Sequence, residues 1–204
     1  MEQINPSYRT LRVVIGVLGI ALPLVLILGN RGDVESSISF FYYTKMSVVF
    51  TGILFAFGLI LISYKGRTIE GEKVSENLLT HIGGGCALLV ALVPTKFGGD
   101  ISSLFYSHND LFRGWIHNIS AVLFIFIMGF VVLTKFSRAM YFQSFYKLFG
   151  FLVLAGLAFT IFAFSYENTH EDTPLFKGAV FWGESFSLWM FGIAWLRRGV
   201  PKNR

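Results

Sequence analysis

The stretch FKGAVFWGESFSLWMFGIAWLRR, residues 176–198, decides the fold class of this chain. It is long enough to cross a bilayer, it is rich in Phe and Trp, and it closes with two arginines. A single acid, Glu184, interrupts the apolar run. At about 1.5 Å per helical residue, this carboxylate lies roughly 12 Å from Phe176, close to the middle of a hydrocarbon core about 30 Å thick. Because an ionised carboxylate there costs about 3 kcal/mol, we expect Glu184 to face other helices and to be neutral or to have a partner.

The composition of the whole chain points the same way as this stretch. Of its 204 residues, 54% are hydrophobic and only 14% are charged, whereas a soluble domain carries about 25% charged residues. The sequence therefore predicts an integral membrane protein. Its single cysteine, Cys86, excludes an intrachain disulfide and a cysteine-based zinc site, and we expect no cofactor.

Six apolar runs of about the length of a membrane-spanning helix follow one another along the chain. They predict an all-α fold, a single integral membrane domain over residues 1–204 that is built as a bundle of six transmembrane helices. The start of the chain lacks the short apolar region and the small-residue cleavage site of a signal peptide, so we expect the first run to be a retained span. The runs cover approximately residues 11–29, 46–64, 78–93, 115–133, 145–164 and 176–196.

The distribution of basic residues predicts the orientation in the membrane. With six spans, 12 of the 17 Lys and Arg residues fall on the side of the two termini and 5 on the other side. Since cytoplasmic connections are enriched in Lys and Arg, both termini are predicted to be cytoplasmic, in a multi-pass protein of the cell inner membrane. The net charge of +5 therefore reflects orientation signals and contacts with anionic lipid rather than nucleic-acid binding.

Polar and ionisable side chains at membrane depth gather in the outer half of the predicted bundle. Glu184 and Ser187 are three residues apart and are expected to share one helix face. This pattern predicts a polar pocket that opens to the outside. Its predicted members are Ser39, Tyr42, Tyr43, Thr44, Thr95, His117, Asn118, Ser120, Glu184 and Ser187.

Three classes of function are compatible with such a pocket. In the first, Glu184 is neutral or pairs with His117 and fixes the helix register, and the protein binds a lipid or another protein. In the second, the same two side chains conduct protons or ions, with a Tyr or Thr hydroxyl or a water molecule bridging their different depths. In the third, His117 joins the loop residues His108 and His170 around the metal ion of an intramembrane lipid hydrolase. The sequence contains no phosphate-binding loop, dinucleotide fingerprint or nucleophile elbow, which argues against catalysis of the soluble type.

Several strings of this sequence resemble one group of membrane proteins. They are SISFFYYT at residues 37–44, VFTGILFAFGLILISYKG at 49–66, ALVPT at 91–95 and FWGESFSLWMFGIAWLRRG at 181–199, together with the histidine that opens the fourth span. From about residue 37 to 199 the chain resembles a group of bacterial six-span membrane proteins that is distantly similar to the eukaryotic Frag1/DRAM/Sfk1 type. The resemblance implies a six-helix bundle with a polar outer end. By analogy with the eukaryotic proteins it implies a link to membrane lipid organisation, and it implies no reaction.

We therefore predict a non-enzymatic integral membrane protein that binds membrane lipids or regulates a partner protein, in the membrane or in the cytoplasm. Gly83, Gly84 and Gly85 in the third run would let a neighbouring helix approach closely, and such glycine-rich faces predict a homo-oligomer. Proton or ion conduction and metal-dependent lipid hydrolysis are the alternatives.

Overall fold

The computed structural model describes residues 6–66, 70–96, 110–138, 142–170 and 175–200, with the side chains of residues 6, 7 and 110 left aside. All regular structure in these ranges is helical, which confirms the predicted all-α fold. A 3₁₀ helix, Ile38–Tyr43, follows α1, and a π-helical turn, Val131–Lys135, extends α4 and is followed by a short 3₁₀ turn. The six long helices are α1 (Pro6–Gly29), α2 (Ser47–Ser63), α3 (Glu76–Leu92), α4 (Asp110–Phe130), α5 (Gln143–Thr169) and α6 (Ala179–Gly199).

Four of these helical stretches are long and apolar enough to cross a membrane, and they indicate a membrane-embedded protein. They are Tyr8–Gly29, Leu111–Arg138, Gln143–Thr169 and Ala179–Gly199. The helices α2 and α3 are also apolar but have 17 residues each, a length that is marginal against the roughly 20 residues of a typical span. The predicted count of six spans therefore stays a prediction.

The helices form a closed ring in chain order. Each helix packs against the next one along the chain, and α6 returns to pack against α1. The centre of the ring is filled by aromatic side chains from alternate helices. Phe57 of α2 lies 5.5 Å from Phe124 of α4 and 5.7 Å from Phe191 of α6, measured between ring centroids. This packing leaves an apolar interior and places polar groups at its two ends.

Two pairs of glycines let neighbouring helices meet at backbone distance. A Cβ atom built on Gly84 of α3 would lie 2.7 Å from the carbonyl oxygen of Gly58 in α2, and one built on Gly58 would lie 2.8 Å from the carbonyl oxygen of Gly84. Gly16 of α1 and Gly192 of α6 meet in the same reciprocal way, at 2.8 and 2.7 Å. Any larger side chain at these four positions would push two helices apart.

The start of α6 is shaped by a glycine that no other residue could replace without strain. Gly178, just before the helix, has a φ of 72°, in the left-handed region. A Cβ atom there would lie 2.7 Å from Cγ1 of Val34. The chain that leaves α1 can therefore run directly across the first turn of α6, and this crossing positions the site that follows.

Candidate functional site

The site is built around the 3₁₀ helix Ile38–Tyr43, which we call the inserted helix. Ser37 caps it, because the Ser37 hydroxyl oxygen accepts a hydrogen bond from the Phe40 amide at 3.3 Å. The amide of Phe181 in α6 donates to the carbonyl oxygen of Ser36 at 3.0 Å. Phe41 is fully buried, with its ring 5.8 Å from that of Phe181. The inserted helix is thus held against the first turns of α6, inside one end of the ring.

Glu184 binds the backbone of the inserted helix. Its Oε2 atom accepts a hydrogen bond from the Ile38 amide at 2.7 Å. Ile38 is the first residue of the inserted helix, so the carboxyl group lies where the amides of a helix lack partners of their own. The partner that the sequence required for Glu184 is therefore a main-chain amide.

His117 of α4 binds two elements at once. Its Nδ1 atom lies 2.6 Å from the carbonyl oxygen of Val93, at the end of α3, and its Nε2 atom lies 2.7 Å from the Ser39 hydroxyl. Because a carbonyl oxygen can only accept, Nδ1 carries a proton, and in the neutral ring Nε2 accepts the hydrogen bond that Ser39 donates. His117 is only 1% exposed, so it ties α4, α3 and the inserted helix together in the interior.

Glu184 and His117 are linked through the inserted helix rather than in direct contact. They bind the consecutive residues Ile38 and Ser39. The conduction hypothesis requires a Tyr or Thr hydroxyl or a water molecule between them, whereas the groups that bind them are the Ile38 amide and the Ser39 hydroxyl. Beside them lies a cavity of about 30 Å³, lined by Ser39 and Glu184 and otherwise by apolar side chains. This volume admits about one water molecule.

Other predicted members of the pocket lie around the inserted helix without lining the cavity. The Tyr43 hydroxyl donates to the carbonyl oxygen of Thr95 at 2.6 Å, and Thr95 itself is buried. The Thr44 hydroxyl donates to the carbonyl oxygen of Phe41 at 3.0 Å. Tyr42 packs edge-on against the ring of Tyr43, with centroids 5.3 Å apart. These side chains hold the C-terminal end of the inserted helix.

The remaining members lie on α4 and α6, beside His117 and Glu184, and none of them lines the cavity. Ser120 is buried and Asn118 is half-buried on α4, and neither lines the cavity. The Ser187 hydroxyl donates to the carbonyl oxygens of Gly183, at 3.0 Å, and of Val153 in α5, at 3.2 Å. Glu184 and Ser187, expected to share one helix face, therefore contact different elements. Ser187 contacts α5, whereas Glu184 contacts the inserted helix.

The histidines proposed for a metal site do not form one in the part of the chain that is described. Within it, no group of three His, Cys, Asp or Glu side chains is placed to hold an ion. His170 is exposed at the end of α5 and stacks on Tyr166, with ring centroids 4.3 Å apart. Both ring nitrogens of His117 are used by Val93 and Ser39. His108 lies outside the described residues.

The residues that sequence reasoning missed here act through their backbone. Ile38 and Val93 look like ordinary apolar positions, yet the amide of the first and the carbonyl of the second bind Glu184 and His117. Any residue except proline carries both groups, so no residue-type signal marks these partners.

Comparison with known proteins adds no relative: no family model, no curated protein and no solved structure matches this chain.

Proposed function

We propose that the protein is a six-span integral membrane protein that binds membrane lipid and does not catalyse a reaction. The observation that carries this proposal is the use made of its polar groups at membrane depth. Glu184 and His117 bind the inserted helix, and the space left beside them admits about one water molecule. Groups that are occupied in holding the fold together are poorly placed to bind and turn over a substrate.

The ring supports the proposal of six spans. The helices α2 and α3 pack side by side between α1 and α4, both of which are long enough to span. At about 1.5 Å per residue, 17 residues reach roughly 25 Å, which a locally thinned bilayer accommodates. The Lys and Arg distribution supports cytoplasmic termini in an inner membrane.

The outer surface of the ring supports lipid contact. Phe151 and Phe162 of α5 are 63% and 56% exposed, and Leu148 is 55% exposed. Exposed apolar side chains of this kind are unfavourable in water and favourable in lipid. A homo-oligomer, or a regulated partner within the membrane, would use the same faces.

Proton conduction is the second candidate, and one observation favours it. Glu184 and Ser39 border the same water-sized cavity, and Ser39 is hydrogen-bonded to His117. A water molecule there would complete a path from the carboxyl group to the imidazole. The path stops at the Val93 carbonyl, which accepts from Nδ1 and cannot pass a proton on. Because the proton path has no continuation beyond Val93, we rank proton conduction below lipid binding.

A pair of variants at Glu184 separates the two candidates. Glu184→Gln keeps an oxygen acceptor for the Ile38 amide but cannot titrate, whereas Glu184→Leu removes the acceptor. We expect Gln to leave stability nearly unchanged and Leu to lower the free energy of unfolding by about 1–3 kcal/mol, because a buried amide loses its partner. We also expect no pH-driven proton flux into liposomes from the wild type or from either variant. A wild-type flux that Glu184→Gln abolishes would overturn the proposed non-conducting role and establish conduction.

A further inference from the structure

A second buried polar network lies at the opposite end of the ring from the inserted helix. The Nε atom of Arg12, near the start of α1, donates to the Tyr64 hydroxyl at 2.8 Å. That hydroxyl donates to the carboxylate of Glu76, in the first turn of α3, at 2.7 Å. The three side chains are at most 6% exposed. An arginine is thus buried in a network that contains one carboxylate.

The last turns of α6 bring a second arginine to the same aromatic cluster. Trp195 is fully buried between Tyr64 and Phe136, with ring centroids 5.2 and 5.0 Å apart. The guanidinium of Arg198 lies 5.2 Å above the Phe136 ring, and that of Arg12 lies 5.6 Å above the Tyr64 ring. The backbone of α6 touches α1 here, since a Cβ atom on Gly199 would lie 2.7 Å from Cγ2 of Val13. Arg12 and Arg198 therefore converge on one side of the ring.

Three donors in this cluster are buried without an acceptor. The Nη1 atom of Arg12, the Nε1 atom of Trp195 and the Nε atom of Arg198 have no hydrogen-bond partner among the residues that the structure describes. Buried donors are rarely left unmet in folded proteins. All three donors need an acceptor. Two of them belong to Arg12 and Arg198, which together carry two positive charges, and Glu76 neutralises only one of these.

Two other cations at this end of the molecule share a carboxylate. Glu72 accepts hydrogen bonds from Lys135 and Arg138, each at 2.5 Å. Arg12 and Arg198 are not served by Glu72, and their unmet donors lie where α1 meets α6. A phosphate group fits this need, because it is anionic, offers several acceptor oxygens and matches the geometry of guanidinium donors.

We propose that Arg12, Trp195 and Arg198 form a binding site for a phosphate group of an anionic phospholipid headgroup or of free phosphate. Arg198 is half-buried in the last turn of α6, which makes it the most exposed of the three side chains. This end of the ring carries the basic residues that predict the cytoplasmic side, where anionic headgroups attract Lys and Arg. The assignment of the phosphate group to a lipid headgroup rests on the proposed lipid-binding function. The binding of a phosphate group as such does not depend on that function.

The test uses the full chain in a neutral detergent, with two probes in separate arms. Sodium phosphate is compared with sodium chloride at equal ionic strength, and dioleoylphosphatidylglycerol is compared with dioleoylphosphatidylcholine. Thermal unfolding and native mass spectrometry report binding. A rise in melting temperature with phosphatidylglycerol alone assigns the site to a lipid headgroup, and a rise with inorganic phosphate alone assigns it to free phosphate. No rise with either probe overturns the site.

Variants locate the binding within the fold. Arg198→Gln is expected to weaken binding about tenfold, because a charge-assisted hydrogen bond is lost. Trp195→Phe keeps an aromatic side chain and removes the indole N–H donor, so about threefold weaker binding is expected. Lys147→Gln removes an exposed cation from α5 and serves as the control, with binding unchanged. If Arg198→Gln and Trp195→Phe both bind the probes as tightly as the wild type and Lys147→Gln do, the assignment is overturned. If Arg198→Gln fails to fold, the affinity of Trp195→Phe alone decides.

The failure of this site and the failure of the proposed function give different results. If the protein retains phosphatidylcholine and phosphatidylglycerol equally in native mass spectra and inorganic phosphate does not raise its melting temperature, lipid binding stands and the phosphate site is refuted. If it retains no lipid of any kind, the proposed lipid-binding function fails, and the inorganic phosphate arm still decides whether the site binds an anion.

Discussion

Three consecutive glycines in α3 should respond differently to the same added methyl group. A Cβ atom on Gly84 would lie 2.7 Å from the carbonyl oxygen of Gly58 and 3.0 Å from the amide nitrogen of Ile62, both backbone atoms of α2. A Cβ atom on Gly83 would meet the flexible end of the Met128 side chain, whereas one on Gly85 would meet nothing within 4 Å. The three alanine variants therefore form a matched series within one turn of helix.

The expected magnitude follows from these distances. Ordinary contact begins at 3.4 Å, so in Gly84→Ala the backbones of α2 and α3 must separate by about 0.7 Å. Overpacking of this kind costs about 1–3 kcal/mol. The gain in helix propensity from Gly to Ala, about 1 kcal/mol, is common to the series and cancels in the comparison. We expect Gly84→Ala to be about 1–3 kcal/mol less stable than Gly85→Ala, with Gly83→Ala between them because Met128 can turn aside.

Thermal unfolding of the three variants in one detergent measures this difference. For a chain of about this size, 1 kcal/mol corresponds to about 2–4 °C in melting temperature, so Gly84→Ala should melt roughly 2 to 12 °C below Gly85→Ala. Equal melting temperatures would refute the close contact of α2 and α3. A larger loss in Gly85→Ala than in Gly84→Ala would show that the open face beside Gly85 is covered in the native protein.

Two further predictions concern polar contacts at the two ends of the ring. Ser39→Ala should lower the free energy of unfolding by about 1–3 kcal/mol, because Nε2 of the buried His117 loses its donor; an unchanged melting temperature would contradict that bond. Near the other end, the hydrogen bond from Lys135, aided by Arg138, lowers the pKa of Glu72 below its usual 4.5. The stability from this ion pair is therefore complete above about pH 4.5 and is lost as the pH falls through the folded-state pKa. Melting curves of the wild type and of Glu72→Gln should differ at neutral pH and converge in strong acid; a constant difference would contradict the ionic contribution.

The positions of the helices follow closely from the sequence. The apolar runs at 11–29, 46–64 and 78–93 correspond to α1, α2 and α3 within a few residues, except at the start of α1. This agreement has a local cause. A helix satisfies its own backbone hydrogen bonds, so an uninterrupted apolar run is sufficient to predict one.

The site was predictable only in part. A carboxylate at membrane depth signals a need for a partner, so Glu184 and His117 could be singled out from their residue types. Ser39 could be grouped with them because it falls in the same polar segment. The sequence did not predict the buried network of Arg12, Tyr64 and Glu76, because polar residues at helix ends are usually solvated.

By itself, the sequence determined the all-helical fold, its apolar membrane-type surface and the two side chains around which the polar end is built. Only the tertiary structure decided that Glu184 binds the Ile38 amide, 146 residues away along the chain, and that His117 binds the Val93 carbonyl. The physical reason is that every residue offers a backbone carbonyl, and every residue except proline an amide, so the identity of such a partner depends on where the chain passes. Gly84 and Gly85 are likewise the same residue type, and only the tertiary structure distinguishes them. The backbone of α2 packs against Gly84, whereas nothing lies within 4 Å of a Cβ atom built on Gly85.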